Sequence, residues 1–193
     1  MDWKHAWKRF WHFIWEEDSV ASWLANIVLA FVLIKFIVYP GLGLVFGTSH
    51  PVVAVVSSSM EHDGNFDNWW QYKCPKGSQG VLYEPYGISH EDFQNYWFRN
   101  GFNKGDIMVL WNWGSIDVGD VMVFNVARRG DPIIHRVVAV EQQLYKTKGD
   151  NNCGSAPFEQ EIQSEQVIGK AVMRIPYLGW VKLGFTQLVS AIW

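Results

Sequence analysis

The feature that most constrains this chain is the segment SWLANIVLAFVLIKFIVYPGLGLVFG, residues 22–47, in which Lys35 is the only charged side chain. At 1.5 Å per residue a helix of this length reaches about 39 Å, more than the roughly 30 Å of a bilayer's hydrocarbon core. It is too long for the apolar core of a removable export leader, and no small-x-small cleavage pattern closes it. The segment predicts a membrane anchor over residues 20–47, with the rest of the chain divided between the two sides of a bilayer.

The flanks set the sides. Lys4, Lys8 and Arg9 precede the anchor, and positive residues beside a span stay cytoplasmic, while the acids Glu16, Glu17 and Asp18 weigh little. The expected location is therefore the cell membrane, with a cytoplasmic N-terminus and an extracytoplasmic domain after residue 47. Lys35 either snorkels to the interface or faces a partner helix. Ahead of the anchor, Trp3, Trp7, Phe10, Trp11 and Ile14 recur at helical spacing opposite Lys4, Lys8, Arg9 and His12. Residues 1–19 thus predict an amphipathic helix in the cytoplasmic lipid interface, packing on a partner protein being the alternative. Residues 175–193 are again apolar and aromatic, interrupted by Lys182, Gly184 and Gln187. They form either a second span or a segment lying on the membrane.

Between these ends, residues 48–174 carry short runs rich in β-branched residues, at 52–56, 107–111, 121–126, 133–140 and 167–173. Turn signals separate them, including Lys104-Gly105-Asp106 and Val118-Gly119-Asp120. The expected fold is mostly β, an extracytoplasmic domain carried on the N-terminal transmembrane helix. Residues 62–103 break the pattern. Their density of aromatic residues, from Trp69 and Trp70 to Trp97 and Phe98, reads as an insertion folded over the β domain. The net charge of −3 offers nothing to nucleic acid. The two cysteines, Cys74 and Cys153, both fall on the oxidising side and are either disulfide-bonded or two small buried hydrophobes. His62, Asp63, His90 and Glu91 lack the spacing of a zinc site, so neither metal nor cofactor is expected.

Chemistry is signalled where the first apolar run meets Ser57-Ser58-Ser59-Met60. A serine attacks only when a base takes its proton and donors hold the oxyanion. A hydroxyl at a strand end is exposed while its backbone is held by the sheet. His135, a polar ring in the β-branched run PIIHRVV, is the candidate base, and Asp150 in KTKGDNN is the candidate group to orient it.

The ordered runs VVSSSM, KGDIMVL, VGDVMVF, IIHRVVAV, YKTKGDNN and IPYLGWV resemble the successive boxes of the type I signal peptidases. In that family the nucleophile directly precedes the methionine, which is Ser59 here, and bacterial members carry a lysine where this chain has His135. That substitution resembles the archaeal and endoplasmic-reticulum branch. The resemblance implies a membrane-bound serine endopeptidase that removes signal peptides from exported precursors on the outer face of the membrane. It would work from an anchor that sets the site where those peptides leave the bilayer. Ser59 would attack, His135 carry the proton and Asp150 orient the imidazole. The Ser57 or Ser58 hydroxyl would help hold the oxyanion, and Val53, Val55 and Met60 would line the substrate groove. The partners implied are signal-peptide-bearing precursors, membrane lipid and the protein-export machinery.

Three departures stand out. Ser58 replaces the family's glycine. No second Asp follows Asn151-Asn152. Residues 62–103 enter beside the site. They leave two rivals open: a catalytically inactive membrane scaffold on the same fold, and a maturation peptidase dedicated to a few surface proteins.

Overall fold

The computed structural model describes residues 3–127, 129–181 and 183–184. It divides into two compact units, residues 1–45 and 46–193. In the first, helix α1 (Trp3–Trp15) turns into helix α2 (Val20–Leu33). Ser19 caps α2 by accepting from the Ser22 N–H, while the Ser22 hydroxyl and the Asn26 amide donate to the Phe13 and Ile14 carbonyls. These bonds satisfy backbone groups that helix ends leave open. The helix continues through a π-helical turn at Ile34–Val38 into α3 (Tyr39–Phe46). The resulting Val20–Phe46 stretch has a mean hydropathy of 2.3 and is long and apolar enough to cross a membrane. Trp3, Trp7, Phe10, Trp11 and Trp15 on α1 are all exposed. The segment expected to be membrane-associated at the C-terminus lies mostly outside the described residues.

The second unit is built on a six-stranded sheet of β1 (Val52–Ala54), β4 (Ile107–Trp111), β5 (Val121–Phe124), β6 (Ile133–Glu141), β7 (Leu144–Lys148) and β8 (Val167–Ile175). All pairings are antiparallel, in the order β1-β4-β8-β5-β6-β7. The Gly-Asp turns ahead of β4 and β5 place Gly105 and Gly119 at φ +90° and +96°, a region where side chains are disfavoured. The Trp180 and Tyr96 rings occupy the space a Cβ would need at each. One sheet face packs Val55, Met60, Phe102, Met108, Leu110, Val121 and Val123 into a core. Met122, Phe124, Val137 and Ile162 form a second cluster.

The mostly β expectation holds in part, for this sheet, while the described residues together are 38% helix and 22% strand. The N-terminal helices account for much of that. Most of the rest comes from the insertion, which contains α4 (Phe66–Trp70), a two-strand ribbon of β2 (Lys73–Cys74) and β3 (Gly77–Ser78), α5 (Gln79–Tyr83) and α6 (His90–Gln94). Each helix is five residues long, too short to show a 3.6-residue period. Each nonetheless begins at a capping side chain, Asn65, Ser78 or Ser89, that accepts an otherwise unpaired backbone N–H. Phe66, Trp69, Tyr83, Ile88 and Phe93 close over Val138 of β6 as a third cluster. Cys74 and Cys153 are joined as a disulfide, with their Cα atoms 5.4 Å apart, so of the two readings the bonded one describes the fold.

Candidate active site

Ladder pairing extends past β1, because the Val55 N–H donates to the Asp106 carbonyl and the Val55 carbonyl accepts from the Gly105 N–H. The chain then turns away at Ser57–Met60. Met60 is wholly buried in the sheet core, and its carbonyl accepts from the Phe102 N–H at 3.0 Å. A large apolar anchor thus follows the serine directly and holds its backbone. Ser57 and Ser58 are exposed and Ser59 partly so, which leaves the hydroxyls open to an incoming chain.

His135 lies on β6, opposite Met122 of β5. Its Nε2 accepts from the Ser59 hydroxyl at 2.9 Å. On the other side of the ring, Nδ1 meets Glu159 Oε1 at 2.5 Å. A carboxylate only accepts, so Nδ1 carries the proton and Nε2 is left as the base facing Ser59. Glu159 is 1% exposed and sits on a single 3₁₀ turn, Pro157–Glu159. The Thr147 hydroxyl also donates to its Oε1, and the Ala156 N–H donates to its Oε2. A buried carboxylate needs such donors to offset lost hydration.

The carboxylate on Nδ1 is therefore Glu159, and the expected contact between Asp150 and the imidazole is not made. Neighbouring strand residues point to opposite faces, so Arg136 leaves β6 away from His135, and Asp150 turns to Arg136. Its oxygens accept from Arg136 Nε at 2.9 Å and Nη2 at 2.7 Å, from the Tyr83 hydroxyl at 2.8 Å and from His62 Nε2 at 3.1 Å. Burial by itself would raise the Asp150 carboxyl. The Arg136 guanidinium, helped by the His62 hydrogen bond, instead holds it well below the usual carboxylate range, and it stays ionised. No carboxylate other than Asp150 stood out in that stretch of sequence. The only signal for Glu159 was an acidic residue within ten positions of the Gly-Asp box.

Ser57 lies beside the site, its hydroxyl 3.1 Å from Ser59 Oγ, whereas Ser58 contributes its carbonyl, which accepts from Asn151 Nδ2 and the Glu61 N–H. Of the expected groove residues, Val55 and Met60 are buried in the core and cannot line a surface channel. Inward-facing strand residues fill the core by the same alternation that exposes their neighbours, and Val56 is the exposed one. Val53 is partly buried against that core. The lysines near Asp150 are both engaged. Lys146 pairs with Glu141. Lys148 Nζ donates to Gln79 Oε1 at 2.7 Å and to the Gly149 carbonyl at 3.1 Å, and burial pulls its ammonium down to about 8.

A nucleophile, a base and an orienting carboxylate in this order can perform acyl transfer. No family model matches the chain. Curated relatives do. The signal peptidase complex catalytic subunit of Colletotrichum graminicola is 29% identical across 86% of this chain and 80% of its own length. That of Scheffersomyces stipitis is 28% identical across 83% and 81%. A stretch covering 42% of this chain reaches 34% identity with the Metarhizium robertsii subunit, over 55% of that protein.

Proposed function

We infer that this chain belongs to the archaeal and endoplasmic-reticulum branch of the type I signal peptidases, and that it is a membrane-bound serine endopeptidase removing N-terminal signal peptides from exported precursors. The observation that carries the reading is the continuous path from the Ser59 hydroxyl through His135 to the Glu159 carboxylate. Two departures favour an inactive scaffold, the aromatic insertion and the missing second Asp, and the second has an answer. Glu159 supplies a carboxylate for the same duty.

The reaction follows from these groups. A precursor's cleavage segment lies extended along β1, the sheet edge next to Ser59, because backbone pairing holds a peptide whatever its side chains. Ser59 Oγ attacks the scissile carbonyl as Nε2 takes its proton. The Ser59 N–H and the Ser57 hydroxyl hold the oxyanion. Nε2 then gives the proton to the departing amine, and a water activated by the same nitrogen cleaves the acyl-enzyme ester. Glu159 keeps the ring in the tautomer this requires and balances its transient positive charge.

The Val20–Phe46 helix holds the enzyme in the membrane that its substrates cross. Helix α1 lies in the cytoplasmic interface with its exposed tryptophans among headgroups, and the sheet unit faces the outer, oxidising side. The Cys74–Cys153 disulfide supports that orientation, since such bonds persist where thiols are not kept reduced. The test is cleavage of a co-expressed precursor in cells lacking other signal peptidases. The wild type should release the mature protein and Ser59→Ala should leave it uncut; equal processing by both would end the enzymatic reading.

A further inference from the structure

The insertion reaches the catalytic turns at specific atoms. Asp150 takes three of its side-chain and backbone contacts from there. The Tyr83 hydroxyl donates to Oδ1 at 2.8 Å, His62 Nε2 to Oδ2 at 3.1 Å, and Trp69 Nε1 to the Asp150 carbonyl at 3.2 Å. Beside them, Lys148 Nζ lies 4.5 Å from the Tyr83 ring centre while donating to Gln79 and the Gly149 carbonyl. His62 and Trp69 are themselves stacked, with centroids 3.7 Å apart and planes 3° from parallel. Arg136 returns the grip, donating to the Trp97 and Phe98 carbonyls.

The gripped segment is also the one that holds the Ser59 backbone and runs beside the His135 ring. The Asn151 N–H donates to the Ser59 carbonyl at 2.8 Å, and Asn151 Nδ2 to that of Ser58 at 3.1 Å. The Asp150 N–H meets Met60 Sδ at 3.3 Å. A Cβ added at Gly149 would stand 2.9 Å from His135 Nε2, so the backbone there runs against the imidazole edge. Any shift of Asp150 therefore moves the floor under Ser59 and the wall beside His135 together.

We propose that the aromatic insertion is a positioning element for catalysis, with Tyr83 and Trp69 acting through Asp150 to fix the Ser59–His135 geometry. The proposal rests on the peptidase reading above. Tyr83→Phe keeps the ring and removes one donor. Misplacement of reacting groups by an ångström costs on the order of a hundredfold in rate. The expected result is a fall in kcat of about ten- to a hundredfold with KM within about twofold, since β1 is untouched. Trp69→Phe, which removes a second donor, should behave alike. Tyr72→Phe, on the exposed surface of the insertion, should match the wild type.

The experiment combines steady-state cleavage of a signal-peptide substrate by the full chain in micelles with melting curves and the proton resonance of His135 Nδ1. A lower kcat with an unchanged melting temperature and a shifted or broadened Nδ1 resonance supports positioning. Unchanged kcat in both variants overturns it, as does a rate loss that only tracks the unfolded fraction. If Tyr83→Phe fails to fold, Trp69→Phe decides by the same criteria. If the wild type itself cleaves no signal peptide, the functional reading fails separately. The Nδ1 resonance then still decides the positioning claim, which an unmoved signal in Tyr83→Phe and Trp69→Phe would sink.

Discussion

Glu159 holds the His135 imidazole from the side opposite Ser59, its Oε1 2.5 Å from Nδ1, in place of the aspartate nine positions earlier. Replacing Glu159 by Gln keeps the shape but offers an amide to a nitrogen that needs an anion. The expected fall in kcat is about a hundred- to ten-thousandfold, with KM little changed. Glu159→Asp should recover part of the rate, since the charge returns one methylene short. Steady-state kinetics on the three proteins checks the order; equal rates for wild type and Glu159→Gln would remove Glu159 from the mechanism.

On the proposed mechanism Ser57 helps hold the oxyanion, and its hydroxyl lies 3.1 Å from Ser59 Oγ. Ser57→Ala should lower kcat by about a hundredfold while leaving substrate affinity intact. Ser58→Ala, whose contribution is a backbone carbonyl, should retain near-normal turnover. Comparable losses in both would assign the effect to the turn's conformation instead.

The disulfide ties the ribbon of the insertion to the loop between Asp150 and Glu159 across a sequence separation of 79. Converting Cys74 and Cys153 to serine together should cost about 2–5 kcal/mol of stability. Denaturant melts with and without reductant measure this, and reductant should shift the wild type but not the variant.

Lys148 makes stability depend on pH with a definite sign. Burial, first of all, depresses its folded pKa to about 8 from the ordinary lysine value of 10.5. Between those values the unfolded chain holds more protons, so stability rises with pH there. Burial first, then the Asp150 charge, pushes the Tyr83 phenol well above its ordinary value, which turns the trend downward once unfolded tyrosine ionises near pH 10. Denaturant midpoints should climb from pH 8 to 9.5 in the wild type, and Lys148→Met should flatten that climb. A parallel climb in the variant would assign the slope to another group.

Much of this was readable beforehand for identifiable reasons. The runs at 107–111 and 133–140 form strands because β-branched residues recur between Gly-Asp turns whose glycines take positive φ. Ser59 and His135 could be paired as candidates because a hydroxyl stands at a strand end and an imidazole inside an apolar run needs a partner. The two do meet, at 2.9 Å. Glu159 was hidden for the opposite reason: on an irregular turn, nothing in local pattern distinguishes it from Glu161. Asp150 was misassigned because strand alternation, which sends it to Arg136 rather than His135, depends on pairing register. The helices of the insertion escaped because five residues carry no periodicity, although their Asn and Ser caps were in plain view.

The shortness of β1 has its own consequence. Its three residues, Val52–Ala54, pair with β4 on one side only, so the ladder it presents fits a few residues of extended backbone. A helix cannot engage such a rim, because its amides and carbonyls are already spent internally. On the proposed pairing of substrate with β1, conformation thereby becomes a criterion for cutting. A precursor whose junction stays coiled or folded into its mature domain escapes, however suitable its side chains. The same brevity discourages two copies of the enzyme from zipping edge to edge.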